Sequence, residues 1–384
     1  MRWQCRRVGL LGMVAAGLVV CGQASADITT ERSGSILVFP KVIANGLRDT
    51  IIQISNTSNS LVRAHCFYVN AALTDPEADP GPLNPPLWLE VDFDIVLTKQ
   101  QPTYWLVSEG RTVDPSDEPC NREDPECFNV GFDPGRIPPV VPDFVGELKC
   151  VEVDDSGAPL AGNHFKGEAI LVDEDDGDIS SYNAIAVLGQ ENNGDSTLVL
   201  GGGQCAGNDV ICTNDDECGG DGPCVFEYNA CPQTWILNHL AQGAPNLVLG
   251  PASSVDTELT IVPCTQNYET QIPTTVTLQW LTWNEFESQF SVSTSVTCWG
   301  NFGLDEVGAT ALTFEGQMPP DPQGTMYLQT RIRSANGTPF GVMMVAEEEH
   351  SLSATSAKAA VNLHIEGERT TPDIITIPAE QLAP

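Results

Sequence analysis

The densest chemistry in the chain is a run of carboxylates, Asp173-Glu174-Asp175-Asp176-Gly177-Asp178, set between two apolar, strand-like stretches. Carboxylate oxygens around a glycine-bearing turn can fold about a hard cation, which makes Asp173, Asp175 and Asp178 candidate calcium ligands. The run is not an EF-hand loop, since Gly177 falls at its fifth place and the distant Glu is missing. Calcium is the one cofactor the sequence suggests. Without it, the run reads as a solvated acidic hairpin tip.

Aromatic residues gather along one later stretch as Trp280, Trp283, Phe286, Phe290 and Trp299. Trp280 and Phe290 fall on apolar strand faces and read as core. Trp283 and Trp299 fall on the opposite parity, where an indole can stack on a sugar ring, so they are the candidate ligand-binding residues and carbohydrate the candidate ligand. The histidines, His65, His164, His239, His350 and His364, show no H-x-x-x-H or H-x-H spacing, which argues against a zinc enzyme built on paired imidazoles. No G-x-S-x-G elbow occurs, and neither a helix signal nor a lysine follows Gly201-Gly202-Gly203 as a phosphate loop requires.

Cys5 and Cys21 belong to the N-terminal segment, and the remaining cysteines are odd in number: Cys66, Cys120, Cys127, Cys150, Cys205, Cys212, Cys218, Cys224, Cys231, Cys264 and Cys298. In an oxidising compartment they are expected to pair, with one thiol left to link two chains or stay buried. The expected bridges are Cys66 with Cys150, Cys264 with Cys298, and Cys120 with Cys127. Two local bridges and one leftover thiol are expected among Cys205 to Cys231. Zinc is the rival for the clustered thiols, but C-x-x-C pairs are absent.

The elements that must position these residues are strands. Short blocks rich in Val, Ile, Thr and aromatics alternate with Gly, Pro, Asn and Asp, as in Ser35 to Val42, Val62 to Val69, Gly146 to Val153, Glu258 to Val262 and Phe340 to Ala346. Thr274 to Trp283 and Phe290 to Trp299 read as a hairpin. A second is expected at Asn336-Gly337, between Tyr327 to Ile332 and Phe340 to Val345. One helix is expected, over Gln233 to Leu240, with Gly243 as its stop. Ala72 to Pro86, Arg111 to Pro142 and Gly201 to Cys231 break the strand rhythm and read as long loops, functional or disordered.

Arg2, Arg6 and Arg7, the apolar run Val8 to Val20 and Ala24-Ser25-Ala26 form a secretory signal cleaved after Ala26; acylation at Cys21 is the alternative. The apolar run is short for a bilayer span, and no later stretch is apolar enough for one, so no membrane span is expected. The formal charge of −35, from 52 acidic and 17 basic residues, excludes unaided binding to nucleic acid or anionic lipid. Gly 34 and Pro 28 argue for turns and against a helical bundle.

The run Ser33-Gly34-Ser35-Ile36-Leu37-Val38-Phe39-Pro40, followed by Arg48-Asp49-Thr50-Ile51-Ile52-Gln53-Ile54-Ser55-Asn56-Thr57-Ser58, resembles a loosely defined group of uncharacterised secreted bacterial β-sandwich proteins. The resemblance implies an exported β-protein and carries no activity or binding residues with it.

The reading is an all-β fold, an antiparallel β-sandwich of immunoglobulin-like or jelly-roll-like kind, in two halves. Its divisions are a signal (1–26), an N-terminal half (27–200), a disulfide-bonded insertion (201–232) and a C-terminal half (233–384). The function expected is structural or ligand-binding, in the periplasm, at the outer cell surface or outside the cell, with carbohydrate or a cell-envelope component as partner. A secreted hydrolase of polysaccharide or peptide is the alternative. Mass spectrometry of the exported protein should give Asp27 as its first residue; an acylated Cys21 there contradicts this.

Overall fold

The computed structural model describes residues 28–75, 84, 86–111, 137–174, 177–191, 194–308, 326–335 and 339–378. In chain order the first strands are β1 (Ile36–Ala44), β2 (Arg48–Asn56), β3 (Val62–Asn70), β4 (Leu89–Leu97), β5 (Pro102–Leu106), β6 (Phe144–Val153), β7 (Phe165–Asp173), β8 (Ile179–Asn183) and β9 (Ile185–Val187). There follow β10 (Thr197–Leu200), β11 (Gly202–Cys205), β12 (Ile211–Cys212), α1 (Asp215–Cys218), β13 (Cys224–Tyr228), β14 (Pro232–Leu240), β15 (Ser253–Pro263) and β16 (Gln266–Asn267). The last are β17 (Thr275–Asn284), β18 (Gln289–Thr297), β19 (Gly300–Gly303), α2 (Leu304–Gly308), β20 (Tyr327–Ser334), β21 (Val342–Leu352), β22 (Thr355–Asn362), β23 (His364–Glu368) and β24 (Asp373–Thr376).

Among the described residues the strands form five sheets: β4-β3-β6-β1-β9, β5-β2-β7-β8, β12-β11-β13-β10-β24-β16, β18-β17-β20-β14-β23 and β19-β15-β21-β22. With 61% strand and 3% helix the protein is all-β, as expected. The two-halves sandwich expectation needs correction, because the sheets succeed one another in the manner of propeller blades. The first sheet shows why. Its face bearing Leu37, Phe39, Tyr68 and Leu148 packs with Ile52, Trp105 and Leu171 of the second sheet. Its other face, bearing Ile36, Val38, Phe67 and Val151, shares a core with Trp235, Leu259, Ile261, Trp280 and Met344 of the C-terminal half. Every residue of β1 is buried, which is why its sequence is a nearly continuous apolar run.

Several local expectations are overturned. Gln233 to Leu240 is strand β14, with Trp235, Leu237 and His239 buried at every second position; that period of two, and six register pairs with β20, prevail over helix propensity. The residues flanking Asn336-Gly337 do not form a hairpin: β20 pairs with β14 and β17, and β21 with β15 and β22. An Asn-Gly pair permits a turn but does not choose the partners of the strands it joins. Asn336 and Gly337 themselves lie outside the described residues. The β17–β18 hairpin is present in continuous register from Thr275↔Thr297 to Trp283↔Gln289.

The third correction concerns cysteines. Cys66 and Cys150 are bonded and directly opposed on β3 and β6, as expected. Cys205–Cys218 and Cys212–Cys224 are the two local bridges of the insertion. The leftover Cys231 pairs with Cys264, not Cys264 with Cys298, and Cys298 is a free, buried thiol. Cys231 precedes β14 and Cys264 follows β15, so the bridge joins the starts and ends of two strands; Cys298 instead sits on a left-handed residue at the end of β18. Cys120 and Cys127 lie outside the described residues. Gly201 to Cys231, expected to be a loop, instead holds β11, β12, α1 and β13, and β11 and β13 share a sheet with β24 from the C-terminus.

Burial first, and then the charge of Glu147, push the Cys298 thiol up to about 12. Iodoacetamide should therefore leave Cys298 unmodified in the native protein and label it after unfolding. Replacing Cys231 and Cys264 together by serine should cost about 3–4 kcal/mol by the loop-entropy relation, read from urea denaturation. Native labelling of Cys298, or a bridge to it in a non-reducing digest, contradicts the assignment.

Candidate functional site

A cavity of about 620 Å³ opens at one end of the fourth sheet, where β14, β20 and β17 lie side by side. The register brings Trp283 opposite Gln329, Gln329 opposite Asn238, and Tyr327 opposite Leu240. These residues, with Glu285 and Glu348, supply its lining. Its shape is fixed by the turn after β17. Asn284 Oδ1 accepts the amides of Phe286 (3.0 Å) and Ser288 (2.9 Å), and Glu287 adopts a φ of 64°, an Asx-type arrangement. Glu285 then reaches Met326, accepting its N–H at 2.8 Å.

Beneath the cavity lies a neutral polar chain. His239 Nδ1 lies 2.7 Å from the Leu240 carbonyl, so it carries the proton, and Nε2 accepts from Thr330 Oγ1 at 2.8 Å. Thr330 in turn meets Thr282 Oγ1 at 2.9 Å. Burial pulls His239 down to about 4, so the floor carries no charge at neutral pH. The Arg331 guanidinium lies over the Trp283 ring, 5.9 Å from its centroid, and its other partner is Glu366 at 3.1 Å. Trp283 is thus a half-buried ring, braced by a cation, at the wall of a concave site.

Trp299 has a different place. Pro40 lacks an N–H, and the β1–β6 register slips between Phe39 and Val42, a bulge that frees backbone groups. Trp299 Nε1 donates to the Pro40 carbonyl at 2.8 Å. The Tyr182 hydroxyl accepts from Lys41 N–H at 3.1 Å and donates to the Lys41 carbonyl at 2.6 Å. The bulge aims the Lys41 ammonium at Glu258 and, at 2.7 Å, at Glu347. Arg48 holds Glu347 with both terminal nitrogens, at 2.5 and 3.0 Å, and Ser180 Oγ donates to it at 3.2 Å. Lys41, Arg48 and Ser180 come from the N-terminal half, and Glu258 and Glu347 from the C-terminal half. The sequence reading missed this joint, although a lysine inside Ile36-Leu37-Val38-Phe39-Pro40-Lys41-Val42-Ile43-Ala44 signals a buried partner.

At the acidic turn, Asp173 and Asp178 come close to β22: Lys358 Nζ pairs with Asp173 at 2.9 Å, and Lys358 N–H donates to Asp178 Oδ2. Asp175 lies outside the described residues. A lysine ammonium therefore supplies charge compensation to Asp173. Among the described residues, the groupings of potential metal ligands are Cys205, Cys212 and Cys218, and Cys231, Cys264 and Asp373. All of these cysteines are in disulfides, so they offer no thiolate to zinc.

No protein-family model matches the chain, and no curated protein does. Among solved structures it is similar to "Crystal Structure of Thermotoga maritima 1070", at 11% identity over 36% of this chain and 98% of that one, with a TM-score of 0.24. No described helix is long and apolar enough to cross a membrane.

Two groups give stability opposite pH dependences. Burial pushes the Glu347 carboxyl up, but Lys41 and Arg48 outweigh it and hold the group at about 2, below its ordinary 4.5. A depressed acid stabilises above its unfolded value and loses that contribution as pH falls through the folded one. Burial pulls His65 down, but Asp92 and Asp94 outweigh it and lift the imidazole to about 9 from 6.5. Its contribution is complete below 6.5 and lost as pH rises through 9. Glu347→Gln should cost about 3–5 kcal/mol at neutral pH, because it leaves two buried cations short of a partner, and should flatten the acid limb of the stability curve. His65→Gln should flatten the alkaline limb alone. Urea denaturation across pH measures both, and an unchanged acid limb in Glu347→Gln contradicts the assignment.

Proposed function

We propose that this is an exported, disulfide-stabilised protein that binds neutral carbohydrate in the cavity beside Trp283. The observation that carries the reading is the cavity itself. It puts an indole and the half-exposed Tyr327 ring around carboxamides from Asn238 and Gln329. Aromatic faces pack on the C–H faces of sugars, while planar amides and carboxylates match the spacing of vicinal hydroxyls. Among the described residues no lysine or arginine lines the cavity, and Glu285 and Glu348 do, so an anionic sugar meets repulsion there. The hydrolase alternative draws on those same two carboxylates. Glu285 is already engaged by the Met326 amide, which favours a wall over a catalytic acid.

A glycan array probed with the mature protein should return neutral oligosaccharides. Trp283→Ala should weaken the best of them about tenfold or more, equivalent to about 1.4 kcal/mol, with the melting temperature little changed. Equal affinity in the variant, or binding of charged glycans alone, overturns the reading. Release of new reducing ends from a bound polysaccharide establishes the hydrolase instead.

A further inference from the structure

We propose that β18 is a dimerisation edge: two copies of this chain pair antiparallel along Gln289–Thr297, about a two-fold axis at Ser293. Among the described residues β18 is the outermost strand of the fourth sheet and pairs only with β17. An outer strand presents unpaired N–H and C=O groups, and proteins that stay monomeric blunt such edges with charges, prolines, bulges or short strands. Other edges of this fold among the described residues are blunted so, and β8, β9, β12, β16 and β19 are short. β4 carries Glu90, Asp92 and Asp94, β23 carries His364, Glu366 and Glu368, and β22 carries Lys358. β5 is short and opens with Pro102. β18 runs for nine residues with no charge and no proline, and its register with β17 has no slip. In a chain of formal charge −35 that neutrality is a departure.

The strand is also complementary to itself. Folding Gln289-Phe290-Ser291-Val292-Ser293-Thr294-Ser295-Val296-Thr297 about Ser293 sets Phe290 opposite the second copy's Val296, Ser291 opposite its Ser295, and Val292 opposite its Thr294. On the outer face hydroxyl meets hydroxyl. On the inner face an aromatic meets a β-branched residue, a favourable cross-strand pair. Phe290 and Val292 are half-buried against the core at present and lose their remaining exposure in the pair. An isologous contact of this kind closes as a dimer without leaving a further edge at β18. The overall negative charge of each copy opposes their approach, and salt screens that repulsion, so association strengthens with ionic strength. This surface is independent of the carbohydrate reading.

Sedimentation velocity of the mature protein should show a dimer that grows with protein and with salt concentration. Ser293→Lys, at an exposed position, sets two ammonium groups together on the axis and should leave a monomer with an unchanged melting temperature. Ser293→Cys should give a disulfide-linked dimer on mild oxidation, because opposed residues of an antiparallel pair have Cα atoms about 4.5–5.5 Å apart, within bridging range. A monomer under all conditions, a dimer that survives Ser293→Lys, or failure of Ser293→Cys to cross-link overturns the proposal.

Discussion

The carboxylate of Glu347 is the point on which the two ends of the chain meet. It arrives on β21 from the C-terminal half and finds Lys41, Arg48 and Ser180 from the N-terminal half around it. A charge this deep is tolerated only where cations and donors surround it. Its partners in turn depend on one local defect. Pro40 breaks the β1 ladder, the bulge turns Lys41 toward the joint, and the hydroxyl of Tyr182 and the indole of Trp299 take up the backbone groups that the bulge frees. Removing Pro40 would therefore act on an ion pair through the strand geometry.

Two further contacts reinforce the same joint. The Asn362 side chain accepts from Asn183 N–H and donates to the Asn183 carbonyl, both at 2.9 Å, so β22 lies against β8 much as another ladder strand would. Tyr268 stacks on Phe67 with centroids 4.6 Å apart, and its hydroxyl donates to Gln266 Oε1 at 2.5 Å. Gln266 also receives Lys149 and donates to Glu147. Burial pushes Glu147 up and Lys149 down, toward their neutral forms. These polar groups are enclosed by a core common to both halves, which makes register between them specific where apolar packing alone is permissive.

The strands were legible because β-branched and aromatic blocks bounded by turn residues leave little alternative, and β17 with β18 was legible as a hairpin. Partners beyond the hairpin were not. The Asn336-Gly337 turn and the Gln233 to Leu240 segment were misread because the choice of partner strand is made by distant residues, β14 and β17 in one case and β20 in the other. The cavity was half legible: Trp283 stood out by parity, but Asn238, Gln329 and Tyr327 reach it only through the order β17-β20-β14, which no local pattern encodes. Cys66 with Cys150 could be inferred because both sit inside strands. Cys264 could not, since its partner depends on how the ends of β14 and β15 meet. Lys41 and Pro40 were a signal that went unused.

The shared core and the buried joint make both halves one cooperative unit. Scanning calorimetry of the disulfide-intact protein at neutral pH tests it most directly. One transition is expected, with calorimetric and van't Hoff enthalpies that agree. Two resolved transitions, or a calorimetric enthalpy well above the van't Hoff value, would contradict it.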